Sequence, residues 1–137
     1  MAIKALRLGE TWEYVSKFDP DKENPTVWIL GTLDSEVYSL LMDELAVYRV
    51  EGGQPEPDMK LNYFERNLRT VQYGLKGWKN FKDEKGKEIP FETERRGKHE
   101  VVRADLVRRI PFPVIQELAE EILKANTLTE EEAKNSE

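Results

Sequence analysis

The sequence predicts a mainly helical α+β fold, with three to four helices and a short N-terminal antiparallel β-hairpin. Three observations carry this. Thr11–Ser16 alternates apolar and polar residues, the period-two mark of a half-buried strand, and Thr26–Gly31 is a β-branched and aromatic run. Leu61, Phe64, Leu68, Val71, Leu75 and Trp78 recur at spacings of 3, 4, 3, 4 and 3 residues, the stripe of an amphipathic helix. Ile115, Leu118, Ala119, Ile122 and Leu123 form a second such stripe.

Taken in order, the hairpin occupies residues 11–31, its two runs joined by the turn cluster Phe18-Asp19-Pro20-Asp21-Lys22-Glu23-Asn24-Pro25. A helix over 35–48 follows, capped by Asp34 or Ser35, with Val37, Tyr38, Leu41, Met42 and Leu45 on its apolar side. Glu51–Asp58, with two Gly and two Pro, reads as a loop between elements. Asp58 then caps a central helix over 58–78. Its stripe is core-facing first and a self-association seam second, being too short for a coiled coil.

Residues 79–100 read as a loop-rich centre: a polar turn at Gly86 between Phe81 and Ile89, then an almost wholly charged stretch over 92–100. A short helix at 101–110 is stopped by Pro111 and Pro113, and Pro113 suits the first turn of a last helix over 113–125. Asn126 is a natural stop. Residues 1–126 are therefore expected as one domain, and 127–137 as a short polar tail containing a capping box at Thr129.

Composition narrows the function. The chain has 137 residues, no Cys and one His, so disulfides, thiolate metal sites, cysteine nucleophiles and His clusters drop out. His99 sits in Arg95-Arg96-Gly97-Lys98-His99, with no apolar neighbours to bury it as a general base would need. Asp19-x-Asp21-x-Glu23 resembles the start of a calcium loop but lacks its turn glycine, since Asn24-Pro25 stand there. No phosphate-binding glycine loop or nucleophile elbow is present. The expectation is a non-enzymatic protein without metal or cofactor. No apolar run approaches the roughly 18 residues of a membrane span, and the Met1-Ala2-Ile3-Lys4 start has no signal-peptide core, so a soluble intracellular protein is expected.

Charge is segregated. Residues 1–59 carry 5 basic and 12 acidic groups (net −7), residues 60–109 carry 14 and 8 (net +6), and residues 110–137 carry 2 and 7 (net −5), for a total of −6. The acidic total argues against a nucleic-acid binder. The basic segment 79–109 keeps a nucleic-acid-binding regulator open as a rival, although Asp83, Glu84, Glu88, Glu92, Glu94, Glu100 and Asp105 dilute its field.

Four stretches together carry a family resemblance: Glu13-Tyr14-Val15-Ser16-Lys17-Phe18-Asp19; Thr26-Val27-Trp28-Ile29-Leu30-Gly31-x-Leu33-Asp34; Gly77-Trp78-Lys79-Asn80-Phe81-x-Asp83-x-x-Gly86-x-x-Ile89-Pro90-Phe91; and Leu118-Ala119-x-x-Ile122 followed by Leu128-Thr129-Glu130-Glu131-Glu132 and Lys134-Asn135-Ser136. Read in order, they resemble the tail assembly chaperones of tailed bacteriophages. The resemblance implies a non-enzymatic assembly factor in the host cytoplasm. It would bind the tape-measure protein and/or the tail-tube protein and be absent from the finished virion. A small virion structural protein is the alternative. The resemblance assigns no contact residues. On position and charge, the expected partner surface is Ile115, Leu118 and Ile122 on the last helix and Leu128 in the polar tail, with Arg95, Arg96 and Lys98 in the basic stretch, unless the three helix aliphatics simply complete the core.

Overall fold

A computed structural model describes the backbone of residues 3–52 and 55–135, and the side chains of residues 3–43 and 64–126. The fold is α+β, with β1 (Thr11–Tyr14), β2 (Val27–Gly31), α1 (Ser35–Gly52), α2 (Pro55–Gly74), β3 (Leu75–Lys79), β4 (Thr93–Arg96), β5 (His99–Val102), α3 (Ala104–Val107) and α4 (Phe112–Asn135). This corrects the mainly helical expectation: the described residues hold five strands in two antiparallel sheets. The N-terminal hairpin is not a free unit either. β2 is the middle strand of a sheet ordered β1-β2-β3, and α1 and α2 are inserted between β2 and β3.

The main sheet turns one aromatic and aliphatic face inward. Trp28 stands opposite Tyr14 on one side and Trp78 on the other, and Leu30 opposite Trp12 and Leu75, with the register shifting between Ile29 and Leu30. Trp28, Leu30, Leu75 and Trp78 join Val37 and Leu41 of α1, Leu68 and Val71 of α2, and Ile115, Leu118 and Ile122 of α4 in a single buried cluster. Phe64 meets Phe112 near the start of α4, and Gly74 meets Ile122 ten residues further along both helices, so α2 and α4 run parallel. Gly74 is what allows the approach: a Cβ there would lie 2.6 Å from the Ile122 side chain.

Several boundaries depart from the sequence reading. The predicted helix 58–78 starts earlier, at Pro55, and ends at Gly74, beyond which Leu75–Lys79 is strand. The stripe misled because Leu75 and Trp78 are three residues apart and buried, which suits either conformation. The expected loop at 92–100 is largely a hairpin of β4 and β5, closed by Gly97 at φ 63°. Val101 and Val102 belong to β5, so the predicted helix 101–110 shrinks to the single turn α3. The helix predicted over 35–48 continues to Gly52, and the one predicted over 113–125 runs from Phe112 to Asn135, taking in most of the expected polar tail. Asn126 is no stop; its amide Nδ2 donates to the Leu33 carbonyl at 2.8 Å. Asp34 is the cap of α1, its carboxylate accepting from Val37 N at 2.8 Å.

Candidate functional site

The residues expected to form a partner surface do not share one. Ile115, Leu118 and Ile122 are 2 %, 0 % and 0 % exposed, because the α4 stripe faces α2 and the sheet. They build the core. Leu128 lies outside the residues whose side chains are described. On the β4–β5 hairpin, Arg95 is exposed and Arg96 half-buried, and Lys98 in the turn pairs with Glu36 of α1 at 3.0 Å. His99 is not a loop residue. It lies in β5, half-buried, with its ring edge-to-face on Tyr73 at 5.4 Å.

In the Asp19-x-Asp21-x-Glu23 stretch the Asp19 and Asp21 carboxylates staple a turn. Asp19 accepts from the backbone N–H groups of Asp21 and Thr26, and Asp21 from those of Glu23 and Asn24. Among the described residues, no group of three or more His, Asp or Glu is placed to hold a metal ion. Nor is any helix there long and apolar enough to cross a membrane.

Beside this turn lies a groove of about 470 Å³. Phe18 and Pro20 of the β1–β2 loop form one wall, Pro111, Pro113 and Val114 another, and Asn80, Phe81 and Lys82 an end; Trp28 contributes to the floor. Phe18 is 61 % exposed, and Phe112, between Pro111 and Pro113 in the chain, is 54 % exposed, two large apolar side chains left open to water.

The walls are set by hydrogen bonds between distant parts of the chain. Thr26 Oγ1 donates to Asn80 O at 2.8 Å, and Asn80 Nδ2 donates to Asn24 O at 2.7 Å. Asn80 itself adopts φ 63°, a left-handed conformation that Asn tolerates better than most residues. After β1, Glu117 of α4 accepts from Tyr14 Oη at 2.6 Å, Ser16 Oγ at 2.5 Å and Lys17 N at 2.9 Å. Ser16 Oγ in turn accepts from Phe18 N at 3.0 Å, which holds the Phe18 corner.

Charge around Glu117 follows from this geometry. Burial pushes its carboxyl up, but the Lys17 N–H and the Ser16 and Tyr14 hydroxyls outweigh that and hold it below the usual carboxylate value. Burial, then the hydrogen bond to Glu117 and the charges of Glu117, Glu121 and Glu120, push the Tyr14 hydroxyl far above the ordinary tyrosine value.

The floor contains an imbalance. Trp78 Nε1 donates to Ile89 O at 2.7 Å, whereas Trp28 Nε1, in a residue only 3 % exposed, has no hydrogen-bond partner. The Trp28 ring packs edge-on to Trp78 at 6.1 Å and against Phe81 at 5.0 Å. Phe18 inside a polar turn and the Pro111-Phe112-Pro113 run were the available signals for an exposed apolar site.

No protein-family model, curated protein or solved structure matches the chain.

Proposed function

We propose that this chain is a non-enzymatic assembly factor of a tailed bacteriophage, a tail assembly chaperone that works in the host cytoplasm. In this reading it holds the tape-measure and/or tail-tube protein by an apolar segment until the tail polymerises, and then leaves. The observation that carries the reading is the groove: a preset, aromatic and proline-lined concavity beside exposed Phe18 and Phe112. A surface of this kind suits transient protein binding, since aromatic anchors supply most of the contact energy at interfaces. The sequence resemblance supplies the client class.

The test is co-expression with a fragment of a tailed-bacteriophage tape-measure protein. A soluble complex is expected, and equal aggregation of the fragment with and without this chain would refute the role. Mass spectrometry of purified particles separates the alternative: a transient factor is absent from them, and a virion structural protein is present.

A further inference from the structure

We propose that Lys76 is a site of covalent acylation, its amine taking a short acyl group from a thioester donor.

The backbone sets this lysine apart. On β3, Leu75 stands opposite Leu30 and Gly77 opposite Ile29, so Lys76 has no opposite number on β2 and is the extra residue of a bulge. Bulges re-aim side chains and recur beside functional sites. Here the Lys76 stem passes close over Gly31, where a Cβ would lie 3.0 Å from Lys76 Cε and 3.2 Å from its Cγ. Its Nζ donates to the Tyr73 carbonyl at 2.8 Å.

Lys76 thereby forms part of the wall of a cavity of about 170 Å³. Leu8, Val37 and Tyr73 give that cavity apolar sides, and Asp34, His99 and Glu100 polar ones. Lys79 and Lys98 each hold a carboxylate at 3.0 Å, that of Glu13 and of Glu36. Among the described residues Lys76 forms no ion pair within 4.0 Å. Partial burial, with no anion to offset it, pushes its amine below the ordinary lysine value of 10.5. Desolvation of this kind makes a lysine nucleophilic, because only the neutral amine has a lone pair to give. The residue as a whole stays exposed, so a donor reaches it.

In the step itself, the Nζ lone pair forms a C–N bond to the thioester carbonyl carbon. The C–S bond breaks, and the amine proton leaves with the thiol. The amide keeps one N–H for the Tyr73 carbonyl, and the charge that is lost had no ion-pair partner. Space is sufficient: a water molecule takes roughly 30 Å³ in the liquid, so 170 Å³ admits an acyl chain of a few carbons against Leu8 and Val37. Asp34 and Glu100 on the same cavity select a donor that is neutral at its reacting end, a thioester rather than an acyl phosphate.

The experiment exposes the full chain to N,S-diacetylcysteamine, a neutral acetyl thioester, and follows each lysine by peptide mass spectrometry at low conversion. Lys76 is expected to acetylate severalfold faster than Lys79 and Lys98. Leu8→Glu puts a carboxylate on the cavity wall at a residue 56 % exposed, and is expected to bring Lys76 down to the rate of Lys79. Reaction of Lys76 no faster than the other two overturns the proposal, as does an unchanged Lys76 rate in a folded Leu8→Glu chain. Acetyl phosphate is expected to lose the preference for Lys76, and equal selectivity with it overturns the donor class. The thermal unfolding midpoint is expected to hold on acetylation. A fall in the wild type that is absent from Lys76→Arg treated in the same way overturns the placement of the acyl group in the cavity.

Discussion

Glu117, in the second turn of α4, accepts the hydroxyl of Tyr14, the last residue of β1, over 2.6 Å and across 103 positions of sequence. With Ser16 Oγ and Lys17 N on the same carboxylate, it fixes the exit of β1 to α4 and sets where the loop carrying Phe18 begins.

Glu117→Ala is accordingly expected to destabilise the fold by about 2–3 kcal/mol, since hydrogen bonds to charged groups contribute roughly 1.5–3 kcal/mol and their donors are left partly buried. Thermal unfolding measures it. The pH dependence has a defined sign at each end. The folded-state Glu117 value lies below its ordinary 4.5, so its contribution is complete above that value and is lost as pH falls through the depressed one. Tyr14 lies above its ordinary 10.0, so its contribution is complete below that value and is lost as pH rises beyond it. In Glu117→Ala the acid limb of the stability profile is expected to flatten.

Gly74→Ala tests the α2–α4 contact. Its Cβ would meet Ile122 Cδ1 and Cγ2 at 2.6 Å, and overpacking of this kind costs typically 1–3 kcal/mol. Combining it with Ile122→Val is expected to recover part of that loss, a non-additivity that a double-mutant cycle detects. Simple additivity would mean that the helices can separate without cost.

The two buried indoles predict different outcomes for the same substitution. Trp78→Phe removes a donor that is paired with Ile89 O and strands that carbonyl, whereas Trp28→Phe removes a donor with no partner. Trp28→Phe is expected to be the milder change by about 1–2 kcal/mol in denaturant unfolding, within the range assigned to leaving a buried polar group unsatisfied. Equal losses would show that Trp28 Nε1 is paired in solution.

Gln72 is the polar link between α2 and the second sheet. It is 1 % exposed, and its Nε2 donates to Val102 O and to Glu94 Oε2, both at 3.0 Å. Gln72→Ala should cost about 1–3 kcal/mol. It should also raise amide hydrogen exchange across the β4–β5 hairpin more than across β2, because that hairpin has little apolar surface of its own. Uniform exchange would contradict it.

What the sequence disclosed divides along the same lines. The cap at Asp34 (with Ser35 as the alternative), the β-branched Thr26–Gly31 run and the helical periodicity of α2 up to Val71 and of α4 were legible because each is written in neighbouring residues. Leu75–Lys79 was not: its buried positions coincide with helical spacing, and only the pairing with β2 decides in favour of strand. The Thr93–Arg96 strand is written entirely in polar residues, so alternation was invisible. Its inward side is set by Glu94 meeting Gln72, a contact 22 residues away. The groove was hidden for a similar reason. Phe18, Trp28, Phe81 and Pro111 come together only through the sheet and the Thr26–Asn80 bond, so no stretch of chain displays the site. The partner surface expected on α4 failed because a stripe cannot say whether its cover is the same chain or another.

The most direct measurement of the central claim is the soluble yield of the tape-measure fragment co-expressed with the wild-type chain and with Phe18→Asp. The substitution puts a charge on a wall residue that is 61 % exposed, and should leave the fold intact. If the groove holds the client, the wild type keeps the fragment in solution and Phe18→Asp loses most of that effect while remaining folded itself. Equal rescue by a folded Phe18→Asp chain would contradict the account.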